Sequence, residues 1–215
     1  QGNLVSITDA VGRTSRVTID TRGLCTAITL PDGRSANFTY DGQNRLTAVR
    51  DLQGIQSKYD YDNSDKIIRM IVAEERKTTV FTYANDGQTI QAVTNPTGNT
   101  THFTRVGPNH TRITDPEGNS TDYLNENGRT VNITDPLGHS LEYTYQDGNR
   151  IWLKDKGGNI TRFEYSQNRH LSRVISPSGN SRSFTTDPYG NVISETDEIG
   201  RTFQYTYDDR QRLVQ

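Results

Sequence analysis

Apolar and aromatic residues recur along this chain with a period of 20 to 22 residues. Each recurring residue lies five positions after a turn residue, or six positions in the fourth copy, and the pattern occurs ten times. The positions are Val17, Phe38, Tyr59, Phe81, Phe103, Tyr123, Tyr143, Phe163, Phe184 and Tyr205. A fixed period of this length indicates a tandem-repeat architecture and not a chain built around one unique centre.

Glycines with the same period precede this aromatic ladder and predict one set of turns. They are Gly12, Gly33, Gly54, Gly98, Gly118, Gly138, Gly158, Gly179 and Gly200. Glu75 stands where a fourth glycine is expected, inside a charged stretch that is one residue longer than its counterparts. A longer charged loop can be a contact point, but we interpret it as a tolerated surface insertion.

The spacing within each repeat predicts β-strands. A second apolar ladder lies five residues before the turn positions, and a second aromatic often follows two residues after the first. The apolar ladder is Ile7, Ile28, Val49, Met70, Val93, Ile113, Ile133, Leu153 and Val174, and the second aromatics are Tyr40, Tyr61, Tyr83, Tyr145, Tyr165 and Tyr207. Residues at i and i+2 share one face of a strand. Because no stretch has a sustained 3.6-residue apolar period, helix should be scarce and the fold all-β.

Two kinds of turn alternate with the strands. Asp-x-x-Gly sequences predict a turn in which the carboxylate accepts an N–H two residues on and the glycine takes a positive φ. A second turn is indicated by Asp41-Gly42, Asp86-Gly87, Asn127-Gly128 and Asp147-Gly148, which favour hairpins. Each repeat therefore reads strand, turn, strand, turn.

These motifs resemble the RHS, or YD-repeat, family. The resemblance rests on the sequences at 59–62 (YDYD), 40–46 (YDGQNRL), 133–138 (ITDPLG) and 205–208 (YTYD). It extends from about Leu4 to Leu213, and ten copies in phase make it specific. The family includes bacterial polymorphic toxins, shell components of insecticidal toxin complexes, and the animal teneurins.

The resemblance implies both a fold and a function. In this family the repeats form a long β-sheet strip that spirals into a hollow shell, which in the bacterial toxins encloses a C-terminal toxin domain. It implies a structural, non-enzymatic protein that is secreted or at the bacterial cell surface, with type VI secretion as an export route. The implied partners are the remaining repeats, the enclosed toxin, and further copies paired through exposed sheet edges. The family's self-cleavage site lies beyond the repeats, so no catalytic residue is assigned.

Composition agrees with a repeat sheet better than with an ordinary globule. Only 30% of residues are hydrophobic, against roughly 45–50% in typical domains on a count that includes glycine. The net charge of −2 and the regular placement of the apolar residues argue against disorder. We expect residues 1–215 to be one continuous repeat domain and, because neither end resembles a capping repeat, a segment of a larger protein.

Candidate chemistry is sparse. Cys25 is the only cysteine, so an internal disulfide and a multi-cysteine metal site are excluded. The near-neutral charge gives no basic footprint for nucleic acid, and no apolar run is long enough to span a bilayer. The periodic aspartates could align to bind Ca²⁺, but we interpret them as turn residues. The four histidines occupy different repeat positions, which disfavours a zinc site, and no cofactor is expected.

Trp152 is the only tryptophan and lies beside Leu153, so the two side chains should point to opposite faces. Exposed aromatics and polar turns leave a second function open, a cell-surface adhesion or carbohydrate-binding module. Binding to glycans that is lost on substitution of Trp152 or of a single tyrosine would distinguish this module from a shell segment. An enzyme is disfavoured because no unique polar constellation is present.

Overall fold

The computed structural model describes residues 4–72 and 77–214. Glu75 and its charged neighbours therefore lie outside the described residues. The chain divides into two compact units. Unit 1 comprises residues 1–103 and 114–118, and unit 2 comprises residues 104–113 and 119–215.

The described residues form twenty β-strands, paired antiparallel within each unit, and no helix, which confirms the prediction of an all-β fold. The first ten strands are β1 (Ser6–Thr8), β2 (Thr14–Ile19), β3 (Cys25–Thr29), β4 (Ser35–Tyr40), β5 (Leu46–Arg50), β6 (Gln56–Tyr61), β7 (Ile67–Val72), β8 (Lys77–Tyr83), β9 (Ile90–Thr94) and β10 (Thr100–Gly107). The others are β11 (His110–Thr114), β12 (Ser120–Glu126), β13 (Arg129–Thr134), β14 (Ser140–Gln146), β15 (Asn149–Lys154), β16 (Ile160–Tyr165), β17 (Leu171–Ile175), β18 (Ser181–Thr186), β19 (Val192–Thr196) and β20 (Thr202–Gln204).

In unit 1 each strand pairs with the next, from β1–β2 to β9–β10. In unit 2 the same meander runs from β12–β13 to β19–β20. Sequential antiparallel pairing needs only short connections, which the two kinds of turn in each repeat supply.

The sheet has almost no interior. Among the described residues Ala92 alone counts as buried, with 7% of its surface exposed, and no side chain is fully enclosed. Strand residues are mostly half-buried, so they gain shelter from side chains on neighbouring strands and not from a second layer. Cross-strand pairs of this kind contribute roughly 0.2–1 kcal/mol each. Stability is therefore spread along the repeats.

A β-bulge recurs at the same place in the repeats. Thr39 lies opposite Ala48 and Tyr40 lies opposite Leu46, which leaves Thr47 as an extra residue. The equivalent extra residues are Thr26, Ile68, Gln91, Val131, Ile151, Ser172 and Ile193. A bulge bends the strand and increases its local twist. It recurs just before the second aromatic position, whose side chain it therefore helps to direct.

The two kinds of turn differ in backbone conformation. The turns at Gly12, Gly33, Gly54, Gly98, Gly118, Gly138, Gly158, Gly179 and Gly200, here called glycine turns, all have φ between +84° and +89° at the glycine. The alternate connections, here called return turns, place either glycine or another residue in the left-handed region. Asn44, Asp65, Arg169 and Gln211 adopt φ of +61° to +65° there.

Two return turns differ from their sequence expectation. At Asp86-Gly87 only the glycine has a positive φ, of +63°, and the connection between Tyr83 and Ile90 is longer than a two-residue hairpin. Asp41-Gly42 suggests a two-residue hairpin, but Gly42 is not left-handed and Asn44 is, with φ of +65°. Asp41 instead opens a longer loop, because its Oδ1 accepts the N–H groups of Gln43 and Arg45 at 2.9 Å. Asn127-Gly128 and Asp147-Gly148 do have positive φ at both residues, as the hairpin expectation requires.

Candidate functional site

The two apolar ladders lie opposite each other on one face of the sheet within each unit. Tyr59 pairs with Met70 in unit 1, and Tyr143 pairs with Leu153 in unit 2. The same pairing joins Val17 to Ile28, Phe38 to Val49, Phe81 to Val93, Tyr123 to Ile133, and Phe163 to Val174. All ten members of the first ladder, including Phe103 and Tyr205, are half-buried. We call this surface the ladder face.

Among the described repeats, the second ladder has one charged member, Glu195. Phe184 lies opposite Glu195, whose carboxylate is 3.2 Å from Arg182 and accepts a hydrogen bond from the Tyr205 hydroxyl at 3.3 Å. Burial raises the pKa of Tyr205, and the negative charge of Glu195 raises it further. Paired in this way, the carboxylate is accommodated where other repeats place Ile133, Leu153 or Val174.

The predicted turn aspartates cap their own turns. Asp155 Oδ1 accepts the N–H groups of Gly157 and Asn159 at 2.8 and 2.9 Å. The pKa of Asp155 is lowered, first by hydrogen bonding from the Asn159 side chain. At Asp135 a hydrogen bond from Lys156, at 2.8 Å, leads the causes that lower the pKa to about 2. These carboxyl groups are committed to backbone donors and basic side chains.

Tyrosine hydroxyls connect successive repeats at the return turns. Tyr61 donates to the carbonyl oxygen of Leu46 at 2.7 Å, fifteen residues back along the chain. The same bond joins Tyr40 to Cys25, Tyr83 to Ile67, Tyr165 to Arg150, and Tyr207 to Val192, at 2.9 to 3.0 Å. This bond explains why the second aromatic is so often tyrosine: the hydroxyl supplies a donor that phenylalanine lacks.

Side chains from one return turn also reach the following one. Arg45 donates to the Asp62 carbonyl oxygen at 3.1 Å and to Asp65 Oδ1 at 2.9 Å, and its guanidinium lies over the Tyr61 ring at 4.9 Å. In unit 2 the ring of His170 packs at 3.4 Å from the position that a Cβ on Gly190 would occupy. Asn191 hydrogen-bonds Gln211 in the same way. We call these contacts forward links.

The other face of the sheet carries a groove in unit 2. Trp152 lies opposite Thr144 and Arg162, whereas the adjacent Leu153 belongs to the ladder face, which confirms the predicted alternation. The groove has a volume of about 530 Å³. Its lining includes Trp152, Leu124, Glu126, Arg129, Asn132 and Asp147. It therefore combines one indole with carboxylates, an amide and a guanidinium.

The histidines do not converge. His110 Nε2 lies 2.7 Å from Asp122 Oδ1, and Arg112 donates to both oxygens of Asp122 at 3.0 Å. The pKa of Asp122 is lowered, chiefly by the hydrogen bond from Arg112. Across residues 4–72 and 77–214, no three His, Cys, Asp or Glu side chains are grouped closely enough to hold a metal ion.

One family model matches these repeats over the whole chain. The model described as the teneurin YD-shell matches residues 1–215. The chain belongs to the teneurin YD-shell family. This finding confirms the resemblance derived from the YDYD and ITDPLG sequences.

Solved structures share the YD-shell fold at low sequence identity. The crystal structure of TcdB2-TccC3-Cdc42 matches with a TM-score of 0.62 and 13% identity, over 96% of this chain and 15% of that one. The crystal structure of TcdB2-TccC3-TEV matches with a TM-score of 0.51 and 15% identity, over 97% of this chain and 16% of that one. The present chain thus spans about 15% of the length of the chains it matches in these structures.

A search of curated protein sequences found no match to this chain. Among the described residues, no helix has the length and apolar character needed to cross a membrane.

Proposed function

We propose that this YD-shell segment is part of the wall of a container that encloses a toxin domain and helps to deliver it. The observation that carries the proposal is the form of the sheet within each unit. A single layer of strands has one ladder face and one more polar face, and its side chains are sheltered mainly by their strand neighbours. Such a layer can extend by whole repeats without a core that has to be closed.

The repeat ladder and the glycine turns have structural roles in this proposal. The pairs Tyr143–Leu153 and Phe38–Val49 stabilise the wall, and Gly138 and its equivalents reverse the chain between strands. No catalytic residue, cofactor or metal is assigned, and the partners are the neighbouring repeats, the enclosed domain and other copies. Family membership and the Tc toxin shell structures support this role, and a secreted or surface-exposed bacterial protein fits it.

A deletion in the full-length parent protein tests containment. Removing residues 135–175 takes out two repeats and joins Thr134 to Ser176, which occupies the position of Asp135 in its own repeat. We expect the C-terminal domain to become sensitive to added protease and toxic to the producing cell. The control is Gly42→Ala, because Gly42 lacks a positive φ and an added Cβ would meet no atom within 4 Å.

If the deletion variant is produced at the level of the control and its C-terminal domain remains protected and harmless, these repeats do not form the container wall. Limited proteolysis followed by mass spectrometry locates the protected region and separates loss of containment from general unfolding.

A further inference from the structure

In three repeats of the described chain, a basic side chain from one return turn lies over the tyrosine ring that precedes the next return turn. The pairs are Arg45–Tyr61, Lys66–Tyr83 and Arg129–Tyr145, with 4.9, 5.9 and 5.6 Å between the cation and the ring centre. The negative face of an aromatic ring attracts a cation at such distances. The fold therefore has a place for a cation beside the second aromatic of a repeat.

Beside Tyr207 the chain places an asparagine where these three repeats have a cation. Asn191 holds the position of Arg45, because each directly precedes the residue whose carbonyl oxygen accepts the tyrosine hydroxyl. Asn191 is uncharged, and its side chain donates to Asp187 at 2.9 Å. Across the described residues of unit 2, no Lys or Arg side chain lies over the Tyr207 ring.

Another repeat of unit 2 obtains its cation from a different position. The repeat of Tyr165 also has an asparagine where the basic residue is expected, but the next residue, Arg150, is basic. The Arg150 guanidinium lies 4.5 Å from the centre of the neighbouring Phe163 ring. The equivalent of Arg150 in the repeat of Tyr207 is Val192, which carries no charge. Tyr207 therefore lacks both sources of a cation.

A cavity of about 540 Å³ opens beside Tyr207. Three tyrosines and three aspartates line it: Tyr189, Tyr205, Tyr207, Asp187, Asp208 and Asp209. Asp208 is paired with Arg212 at 2.7 Å. Asp209 is exposed, and its carboxylate makes no hydrogen bond or ion pair with the described residues. The cavity therefore offers aromatic rings together with one carboxylate that is available to a ligand.

We propose that this cavity receives an arginine side chain from a partner peptide. Within the chain, Arg45 covers the Tyr61 ring and donates to the carbonyl oxygen of Asp62 at 3.1 Å. Asp208 is the equivalent of Asp62, since each accepts an N–H at the start of its return turn. A guanidinium is planar, so it can stack on a tyrosine ring and donate to a carboxylate such as Asp209 at the same time.

The charges of the cavity favour a basic ligand. No Lys or Arg is among the described residues that line it. Hydrogen bonding from the Arg212 side chain lowers the pKa of Asp208, and hydrogen bonding from the Asn191 side chain lowers the pKa of Asp187. Both carboxylates therefore stay ionised at neutral pH and would repel a phosphate or carboxylate ligand. Because the cavity lies between two return turns, this contact goes beyond the container role and does not depend on it.

A peptide titration tests the proposal. A pentapeptide with one arginine flanked by glycines is added to the intact 215-residue chain, and carbon-13 NMR follows the tyrosine ring resonances. We expect the resonances of Tyr189 and Tyr207 to shift and to saturate in the millimolar range or below. The same peptide with citrulline, which has nearly the shape of arginine but no charge, should cause no saturable shift. The lysine version should bind more weakly than the arginine version.

Two variants change the cavity itself. Asn191→Arg supplies a cation from the chain beside Tyr207 and should reduce the affinity for the arginine peptide by about ten-fold. Asp209→Asn removes the available carboxylate at an exposed position and should weaken binding several-fold. Glu198→Gln is the matched control, because the Glu198 carboxylate is also exposed and unpaired in the described part of unit 2 but lies outside the cavity. Its affinity should equal that of the wild type.

Three results would overturn the proposal. The first is a failure of the arginine peptide to saturate at about 10 mM, a concentration that corresponds to weaker binding than most functional affinities. The second is equal binding of the citrulline peptide, or binding of the lysine peptide at least as tight as that of the arginine peptide. The third is wild-type affinity in both Asn191→Arg and Asp209→Asn, which would place the contact outside this cavity.

Discussion

The glycine turns and the return turns reverse the same chain by different physical means. Glycine turns have φ near +85° and contain their own caps, as at Asp155, which accepts N–H groups from within its turn. Return turns accept non-glycine residues at φ near +63°, and they receive the tyrosine hydroxyls and forward links of adjacent repeats. The first kind is specified mainly by contacts within its own turn, whereas the second kind mainly couples one repeat to the next.

Breaking a glycine turn should have the largest effect. Gly138 has φ of +85°, and a Cβ there would meet no atom within 4 Å, so Gly138→Ala is unfavourable through backbone strain alone. We expect a loss of about 1–2 kcal/mol in unfolding free energy, measured by urea denaturation. Gly42→Ala is the control and should change stability by less than about 0.5 kcal/mol. Equal effects would show that the left-handed conformation is not what the turn requires.

Removing one tyrosine hydroxyl tests the coupling at the return turns. Tyr61→Phe deletes the 2.7 Å hydrogen bond to the Leu46 carbonyl oxygen and keeps the ring. The expected loss is about 1 kcal/mol, again from denaturation. The Tyr59 hydroxyl makes no hydrogen bond within the described residues, so Tyr59→Phe should be close to neutral. A larger loss in the Tyr59 variant would contradict the proposed coupling.

One substitution in a return turn should increase the stability of the protein. Arg169 adopts φ of +63° without glycine, so Arg169→Gly relieves strain at a cost in chain entropy. The net gain should be about 0.5 kcal/mol, seen as a higher denaturation midpoint. Asn44→Gly should give no gain, because the Asn44 side chain accepts a hydrogen bond from Arg22 at 3.2 Å. Destabilisation by Arg169→Gly would show that arginine is not strained there.

The smallest effect concerns an ionic link between glycine turns. Asp135 has a folded pKa of about 2, below the ordinary 3.8, and Lys156 is the main cause. Its ionisation therefore stabilises the fold above about pH 3.8, and this contribution disappears as the pH falls through about 2. Carbon-13 NMR should show a higher pKa for Asp135 in Lys156→Gln, while Asp187 titrates unchanged. An unaltered Asp135 titration would refute the link.

The general fold could be predicted because the repeat period is visible in the sequence itself. Alternation at Phe38 and Tyr40 specifies a strand, and Asp-x-x-Gly specifies the reversal after it. Ten in-phase copies also led to the family. The bulge at Thr47 could not be predicted, because it depends on how two strands pair and not on the residue type at one position.

In the candidate site, too, features set by residue type could be predicted, and features set by contacts between distant residues could not. Sequence alternation placed Trp152 away from Leu153, but the groove required knowing that Leu124 and Asp147 lie near it. The Arg45 link was also hidden, since it joins residues twenty positions apart through a long flexible side chain. The repeated tyrosine two residues after the first ladder was a usable signal, since only its hydroxyl distinguishes it from phenylalanine. The left-handed conformation of Asn44 was not predicted, because the nearby Gly42 suggested that the turn lay at Asp41-Gly42.

Tyrosine hydroxyls that reach back fifteen or sixteen residues have an evolutionary consequence. A gene duplication or loss that adds or removes one whole copy restores every donor to an equivalent acceptor, while a partial copy would orphan them. Recombination between copies can therefore change the length of the coding sequence in steps of about twenty-one codons, and offspring with intermediate lengths would be selected against.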